Sequence, residues 1–346
     1  KIQIAILGLG TVGTGVYKVL KKQQPEMLPK LGVEVEVSRV LVRNLERAAS
    51  RVDDPSILTN NWEDIISDDT IDIIVEVMGG MEPARTYILD ALHAGKNVVT
   101  ANKDLIAADG HALMDAAKDA NKDFLFEAAV AGGIPIIQPL KQALQGNYIE
   151  EIVGIVNGTT NFILTKMTEE GMEFQEALQL ATDLGYAEAD PSADIDGDDI
   201  RRKLAISANV AFDALIDEAA IPTFGIRTVT DGDIAAFQRR GFVCKLLAAA
   251  QLSKEGICAW IEPTLVESHA LEAAVPQNFN LITYYGESIG RQSFFGQGAG
   301  RYPTAYNVVQ DCIDILGGQR SFYAADMAPA HLDLAGEAHP YYVRTE

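Results

Sequence analysis

Two parts of this sequence bring together residue types and spacings that could do chemistry. One is a dense acidic run ending in lysine, and the other is a glycine turn near the start. Glu188, Asp190, Asp194, Asp196, Asp198 and Asp199 precede Arg201, Arg202 and Lys203. Such a run is ordinarily a solvated loop. Two details point elsewhere. Asp199 and Lys203 stand four apart at the start of a helical pattern, so they share one face. Leu204, Ala205, Ile206, Ala208 and Val210 make the next turns apolar, so part of that helix is buried. A lysine on a helix packed into a cleft can give a proton to a carbonyl oxygen or polarise it. Neighbouring carboxylates can hold an ammonium group. The run is only loosely like a calcium loop, because the D-x-D-x-D-G register with a distal glutamate is absent.

The turn Gly8-Leu9-Gly10-Thr11-Val12-Gly13 follows the apolar run Ile2–Leu7 and opens a helix. In that context the first glycine makes the tight turn and the second lets backbone approach a pyrophosphate. The third lets helix pack close to strand. Free N–H groups at the helix start favour phosphate. Gly8, Gly10, Thr11, Val12 and Gly13 are therefore candidate cofactor contacts, and the alternative is a plain strand–helix turn. After the second strand an acidic residue would hold a ribose hydroxyl, whereas arginine suits a 2′-phosphate. Arg43 stands there, with Arg47 and Arg51 nearby. This leans to NADP, with NAD possible, unless these arginines only line a solvated helix face. Lys103 follows the short strand Asn97–Thr100. It could reach the cofactor's reactive end, or it could be a surface lysine.

These residues need elements to carry them. Ile2–Leu7, Val33–Val42, Ile71–Val77, Asn97–Thr100 and Phe124–Glu127 read as strands. Between them Thr11–Lys22, a stretch around Trp62–Ser67, Thr86–Ala94 and Gly110–Asn121 read as helices. Alternation of this kind implies a doubly wound parallel sheet. The rhythm changes near residue 130. A helix follows Pro135 to Leu144, then a strand Ile149–Val156 and a helix Ile200–Leu215. Phe242–Ala250, Ala259–Val266 and Asn280–Glu287 read as strands, and Thr304–Leu316 as a helix. The expected class is α/β: a Rossmann-type parallel-sheet domain plus a mixed α+β catalytic and dimerisation domain.

Composition narrows the function classes. The chain has 28 Lys and Arg against 49 Asp and Glu, a net charge of −21. A field of that sign repels phosphate backbones, which argues against nucleic acid and against a dinucleotide-binding regulator that reads DNA. No apolar run approaches the roughly 18 residues that a membrane span needs. Cys244, Cys258 and Cys312 form no C-x-x-C pair, which suits a reducing, cytoplasmic setting. His93, His111, His269, His331 and His339 lack metal-ligand spacing. There is no nucleophile elbow and no Walker A loop. The absent initial methionine suggests numbering that begins inside a longer chain.

Taken together, the motifs resemble those of the homoserine dehydrogenase family over nearly the whole chain. The matching stretches are Gly8–Gly13, VVTANK at 98–103, EAAVAGGIPII at 127–137 and VNGTTNFILTKM at 156–167. They continue with LGYAEADPSADIDGDDIRRKLAI at 184–206 and GQGAGRYPTA at 296–305. The resemblance implies hydride transfer between NAD(P)H and L-aspartate 4-semialdehyde, giving L-homoserine, within threonine, methionine and isoleucine biosynthesis. It implies Lys203 as proton donor and Lys103 beside cofactor and substrate. Glu188 and Asp199 match substrate-binding carboxylates, and Asp194 and Tyr186 belong to the same stretch. Asn157, Gly158 and Gly300 match cofactor contacts. Glu127, Val130, Gly132 and Ile134 match a monovalent-cation site, expected to take Na⁺ largely on backbone oxygens.

The resemblance also divides the chain. Residues 1–131 with 301–325 would form the nucleotide-binding domain, and 132–300 the catalytic and dimerisation domain. Residues 326–346 would be a tail and a possible lead-in to an ACT regulatory domain, which either follows beyond this sequence or is naturally absent, so threonine feedback stays open. The bifunctional form with an N-terminal kinase-like region is not expected from this sequence. A homodimer or homotetramer is expected, with a small-molecule substrate as the other partner. A rival on the same scaffold, an acylating semialdehyde dehydrogenase, would need a nucleophilic cysteine, and Cys244 sits in an apolar strand.

Overall fold

The computed structural model describes residues 1–318, 327–334 and 340–344. Six parallel strands build the first sheet: β1 (Ile2–Leu7), β2 (Val35–Leu41), β3 (Leu58–Thr59), β4 (Ile73–Glu76), β5 (Asn97–Thr100) and β6 (Phe124–Leu125). Their order is β3-β2-β1-β4-β5-β6, so the winding reverses between β1 and β4. Ligands of such sheets bind outside the carboxyl ends at that reversal. Ile4, Ala5, Ile6 and Ile73, Ile74, Val75 have no exposed surface, as a sheet covered on both faces requires.

The helices supply that cover. They are α1 (Thr11–Leu31), α2 (Leu45–Ala49), α3 (Glu63–Ile66), α4 (Ala84–His93) and α5 (Lys103–Asp119). On one face Ala5, Leu7, Ile74 and Val98 meet Ile88 and Leu92 of α4 and Leu105 and Leu113 of α5. On the other, Ile4, Ile6 and Val75 meet Val16, Tyr17 and Leu20 of α1, together with a helix from the far end of the chain.

The second sheet is antiparallel, with neighbours running through the order β10-β9-β7-β11-β12. It comprises β7 (Ile149–Ile155), β9 (Phe242–Leu252), β10 (Ile257–Glu267), β11 (Phe279–Gly286) and β12 (Gly290–Gln297). β8 (Ala214–Leu215) stands apart and pairs with β13 (Ala328–Pro329). Around the second sheet run α6 (Ile137–Leu144), α7 (Gly158–Glu170), α8 (Phe174–Asp183), α9 (Ser192–Ile195), α10 (Asp198–Phe212) and α11 (Asp231–Arg239). The last helix, α12 (Arg301–Leu316), returns to lie on α1 through Ala305, Val308, Val309 and Cys312.

Several sequence expectations need correction. α1 runs past Lys22 to Leu31 despite Pro25 and Pro29. Those prolines are four apart and both exposed, while Met27 between them is buried. Left-handed Gly32 then ends the helix. α5 begins at Lys103 rather than Gly110, because the Asn102 side chain accepts from Leu105 N and starts the helix seven residues early. Strand β6 stops at Leu125, and Glu127 lies in a single 3-10 turn. The helix expected to run to Leu215 ends at Phe212, where left-handed Asp213 turns the chain into β8. Strand β12 and helices α7, α8 and α11 were not anticipated. Among the described residues of the C-terminal segment, β13 pairs with β8 and Arg344 reaches Asp233 on α11. His339 and residues 319–325 of the expected first domain lie outside the described residues.

The contact between α1 and α12 is close enough to test. A Cβ on Gly15 would stand 2.7 Å from the Arg301 carbonyl oxygen and 2.9 Å from Ala305 Cβ. Gly15→Ala must therefore push the two helices apart. We expect a loss of about 1–3 kcal/mol in urea unfolding, the usual range for overpacking. A stability gain, the normal result of Gly→Ala in an open helix, would contradict this packing.

Candidate active site

The site is built where β7 turns into α7. Asn157 leaves the strand in an extended conformation and caps α7, its Oδ1 accepting from Thr160 N at 2.9 Å. Its amide nitrogen donates to Asp194 Oδ1 at 2.7 Å and to Asp199 Oδ2 at 2.9 Å. Gly158 begins the helix where only glycine fits, since a Cβ would come within 2.7 Å of the Asn278 carbonyl. The NGTTN motif is thus a cap whose side chain reaches two carboxylates, a role its sequence position alone does not disclose.

Asp199 sits in the first turn of α10, where the helix dipole favours a negative charge. Lys203 lies one turn on. Its Nζ donates to Asp199 Oδ2 at 2.7 Å and to the Val156 carbonyl at 2.9 Å. From the first sheet comes Lys103, the first residue of α5, with Nζ 3.5 Å from Asp199 Oδ1. The carboxylate therefore faces a lysine with each oxygen, one from each half of the molecule.

Electrostatics separates the two aspartates. Burial alone would raise the Asp199 pKa, but the charges of Lys203 and Lys103 and the bonds from Lys203 and Asn157 outweigh it. The carboxyl is held below its usual range. Asp194 is also buried, and burial dominates there. Aided by the like charge of Asp199, it lifts the Asp194 pKa above the usual range against the bond from Asn157. Hence the surroundings favour the ionised form at Asp199 and disfavour it at Asp194.

Glu188 is exposed and makes no hydrogen bond or ion pair among the described residues. Tyr186 is partly exposed, with its ring edge-on to Phe162 and its carbonyl accepting from Thr159 Oγ1 at 2.7 Å. At the carboxyl end of β1, left-handed Gly8 turns the chain. Gly10 precedes α1, whose first turn holds no acidic residue and no side-chain cap. Thr11 and Val12 open that helix, and Gly13 is buried where a Cβ would collide with the Gly8 carbonyl. Arg43 is exposed just past β2, and Arg51 donates to the carbonyl of Leu9 inside the glycine turn. Gly300 precedes α12 with φ 119°.

In the segment 127–134 the Glu127 side chain has a structural role. Both carboxylate oxygens of Glu127 are engaged, accepting from Ile136 N, Ile137 N and Gln138 N at 2.5, 2.8 and 2.7 Å to cap α6. The side chain is therefore not a free cation ligand. Val130 and Ile134 are buried, and the Gly132 carbonyl accepts from Asn307 Nδ2 at 2.7 Å. Among the described residues no group of three or more His, Cys, Asp or Glu side chains could hold a metal ion. The cysteines are equally closed to chemistry. All three are buried, and burial pushes the Cys244 thiol up to about 12.

The opposite shifts of the two aspartates give opposite stability effects. Asp199, with a lowered folded pKa, stabilises above its unfolded value of about 3.9, and this is lost as pH falls through the folded one. Asp194, with a raised folded pKa, stabilises below the unfolded value and loses that as pH rises through the folded one. At pH 7, Asp199→Asn should therefore lower Tm. Asp194→Asn should leave Tm unchanged or raise it by about 1–3 °C. Equal losses in both variants, measured by calorimetry, would contradict the assignment.

Comparison with known proteins identifies the family. Residues 8–127 match the family model for the NAD-binding domain of homoserine dehydrogenase. Residues 135–313 match the homoserine dehydrogenase model itself. The chain is 43% identical over 320 residues to the homoserine dehydrogenase of Bacillus subtilis, covering 92% of this chain and 74% of that protein. With the Synechocystis enzyme identity is 44% over 345 residues, covering 99% and 78%. The crystal structure of a homoserine dehydrogenase from Thiobacillus denitrificans superposes with a TM-score of 0.87 at 42% identity, covering 91% of this chain and 73% of that one. A hyperthermophilic archaeal homoserine dehydrogenase in complex with NADPH gives a TM-score of 0.76 at 29% identity, covering 90% and 97%. With both halves of the chain matched, and with relatives this similar over most of its length, the protein belongs to the homoserine dehydrogenase family of NAD(P)-dependent oxidoreductases.

Proposed function

We propose that Lys203 is the proton donor and Lys103 the second cation in the interconversion of L-aspartate 4-semialdehyde and L-homoserine. The observation that carries this reading is Asp199, whose two oxygens face Lys203 Nζ at 2.7 Å and Lys103 Nζ at 3.5 Å. A bound nicotinamide cofactor supplies the hydride. As the aldehyde carbon is reduced, negative charge grows on its oxygen. An ammonium group positioned there stabilises that charge and delivers the proton. Asp199 and the Val156 carbonyl orient Lys203 Nζ. Asp194, Asp199, Glu188 and Tyr186 form the substrate side. Glu188, exposed and unpaired, is suited to take the substrate ammonium.

The cofactor's phosphates fit the Gly8–Gly13 turn, where the start of a 21-residue helix offers amides without a competing acid. Asn157, Gly158 and Gly300 belong to the nicotinamide side. NADP is the preferred form in this reading: Arg43 stands exposed just past β2 and Arg51 donates to the Leu9 carbonyl inside the turn, two cations in an otherwise acidic protein. A monovalent cation, Na⁺, would rest on the carbonyls of Glu127, Val130, Gly132 and Ile134, neutral oxygen donors that suit a hard ion of low charge.

Residues 1–131 with 301–325 serve as the nucleotide-binding domain and 132–300 as the catalytic and dimerisation domain. The sheet face away from the helices carries Trp260, Phe279 and Phe295, with Phe295 56% exposed, and would join two copies into a homodimer or part of a homotetramer. Among the described residues no helix is long and apolar enough to cross a membrane. With its three cysteines outside any disulfide, the setting proposed is the cytoplasm.

Lys203→Ala should lower kcat by about 10²–10⁴, the range for a lost general acid, with NADPH Kd within about twofold. Wild-type turnover in that variant would sink the assignment. Arg43→Ala should lower the NADPH/NADH ratio of kcat/KM by about tenfold, the worth of one charged hydrogen bond. An unchanged ratio would remove Arg43 from the phosphate site.

A further inference from the structure

A buried acid outside the lysine cluster remains unexplained by the reading above. Glu76 ends β4 with no exposed surface, at the carboxyl edge of the parallel sheet. Its Oε1 accepts from Met78 N at 2.8 Å and Gly79 N at 3.2 Å, and its Oε2 accepts from Thr100 Oγ1 at 2.7 Å. The Thr100 hydroxyl in turn accepts from Asn102 N at 3.0 Å. Asn102 caps α5 and donates through Nδ2 to the Gly80 carbonyl at 2.7 Å. One carboxylate thus ties the loop 77–80 to the residues that launch Lys103.

That loop also touches the glycine turn. A Cβ on Gly8 would lie 3.1 Å from both Met78 Cγ and the Val77 carbonyl oxygen. Gly79 and Gly80 both take left-handed backbone, and a Cβ on either would meet nothing within 4 Å. The loop therefore has one side against the phosphate turn, its base on Glu76, and its glycines facing open space.

We propose that Glu76 is a positioning residue for hydride transfer, acting through the loop 77–80 and through Thr100 and Asn102. It sets the spacing between the cofactor's phosphate turn and Lys103. This rests on the reading of Gly8–Gly13 as the phosphate turn and of Lys103 as a reaction-side group. The chemistry of the pair is specific. All three partners of Glu76 are donors, so only a group with acceptors on both atoms satisfies them. A glutamine has the same shape, but its NH₂ must either face the two amides or take the place of the oxygen that accepts from Thr100, which leaves the hydroxyl hydrogen without that acceptor.

The test compares Glu76→Gln, Thr100→Val and Thr100→Ser with wild type. NADPH affinity is read by fluorescence titration. Turnover is read together with the primary deuterium isotope effect from NADPH labelled at the transferred hydrogen. Glu76→Gln and Thr100→Val should each lower kcat at least tenfold and raise the isotope effect, because hydride transfer becomes the slow step. Thr100→Ser, which keeps the hydroxyl, should stay within about twofold of wild type. Wild-type kcat and isotope effect in both Glu76→Gln and Thr100→Val would overturn the proposal, as would equal losses in Thr100→Ser and Thr100→Val. If Glu76→Gln does not fold, the Thr100 pair decides. Wild type inert toward aspartate semialdehyde would sink the proposed roles instead. NADPH affinity, needing no substrate, would then test the Glu76 arm: a tenfold loss in Glu76→Gln and Thr100→Val but not in Thr100→Ser supports it, and equal affinity in all variants refutes it.

Discussion

A carboxylate taken out of water must be compensated by charge and hydrogen bonds or it becomes protonated. Asp199 is almost fully buried and its pKa is nevertheless held low. Removing one member of a buried pair commonly costs about 3–5 kcal/mol, because the survivor is left uncompensated. That cost makes the rest of the site a set of conditions for keeping Asp199 ionised. Lys203 must sit one helical turn away, Asn157 must cap α7 with its amide turned inward, and Lys103 must arrive from the other sheet.

Each condition rests on backbone placed by the fold. Lys203 is fixed by the Val156 carbonyl at the end of β7 as well as by its aspartate. Lys103 is fixed by the Asn102 cap that starts α5. The two helices also touch beyond the site, where Arg202 Nε stands 3.4 Å from Asp104 Oδ1. α12 joins the halves from the other side. It packs on α1 at Gly15, and the Asp311 side chain accepts from Glu127 N at 2.9 Å. Glu127 in turn caps α6, which packs on α10. The carboxylate that balances two lysines is therefore held by contacts reaching both sheets.

The parallel half was legible in the sequence because its strands are buried on both faces and read as continuous apolar runs. Glycines and caps punctuate them. The Asp199–Lys203 pair was equally legible, since helical spacing alone puts both on one face. Lys103 was harder. Its distance from Asp199 is a tertiary contact, and no local pattern encodes it. α7 was missed because it is buried nearly all round, with Thr159, Thr160, Asn161 and Thr165 on its inner sides, so it shows no apolar stripe. β12 was missed because exposed Arg291, Ser293, Phe295 and Gln297 alternate with only half-buried Gln292, Phe294 and Gly296, so no apolar run marks it. Glu76 was hidden inside an apolar run, where an acid at a strand end reads as surface until its three donors are seen. The capping role of the Glu127 side chain was hidden too, because no local pattern shows that its oxygens accept from three amides nine to eleven residues on.

The claim at the centre of this account is that Asp199 couples a lysine of one half to a lysine of the other. A double-mutant cycle on kcat/KM with Asp199→Asn and Lys103→Met measures that coupling directly. The account predicts that the Lys103 substitution costs at least tenfold less when Asp199 is already neutral, a coupling of about 1.4 kcal/mol or more. Single losses that multiply in the double variant would contradict it, and would mean that Lys103 acts without the carboxylate it faces.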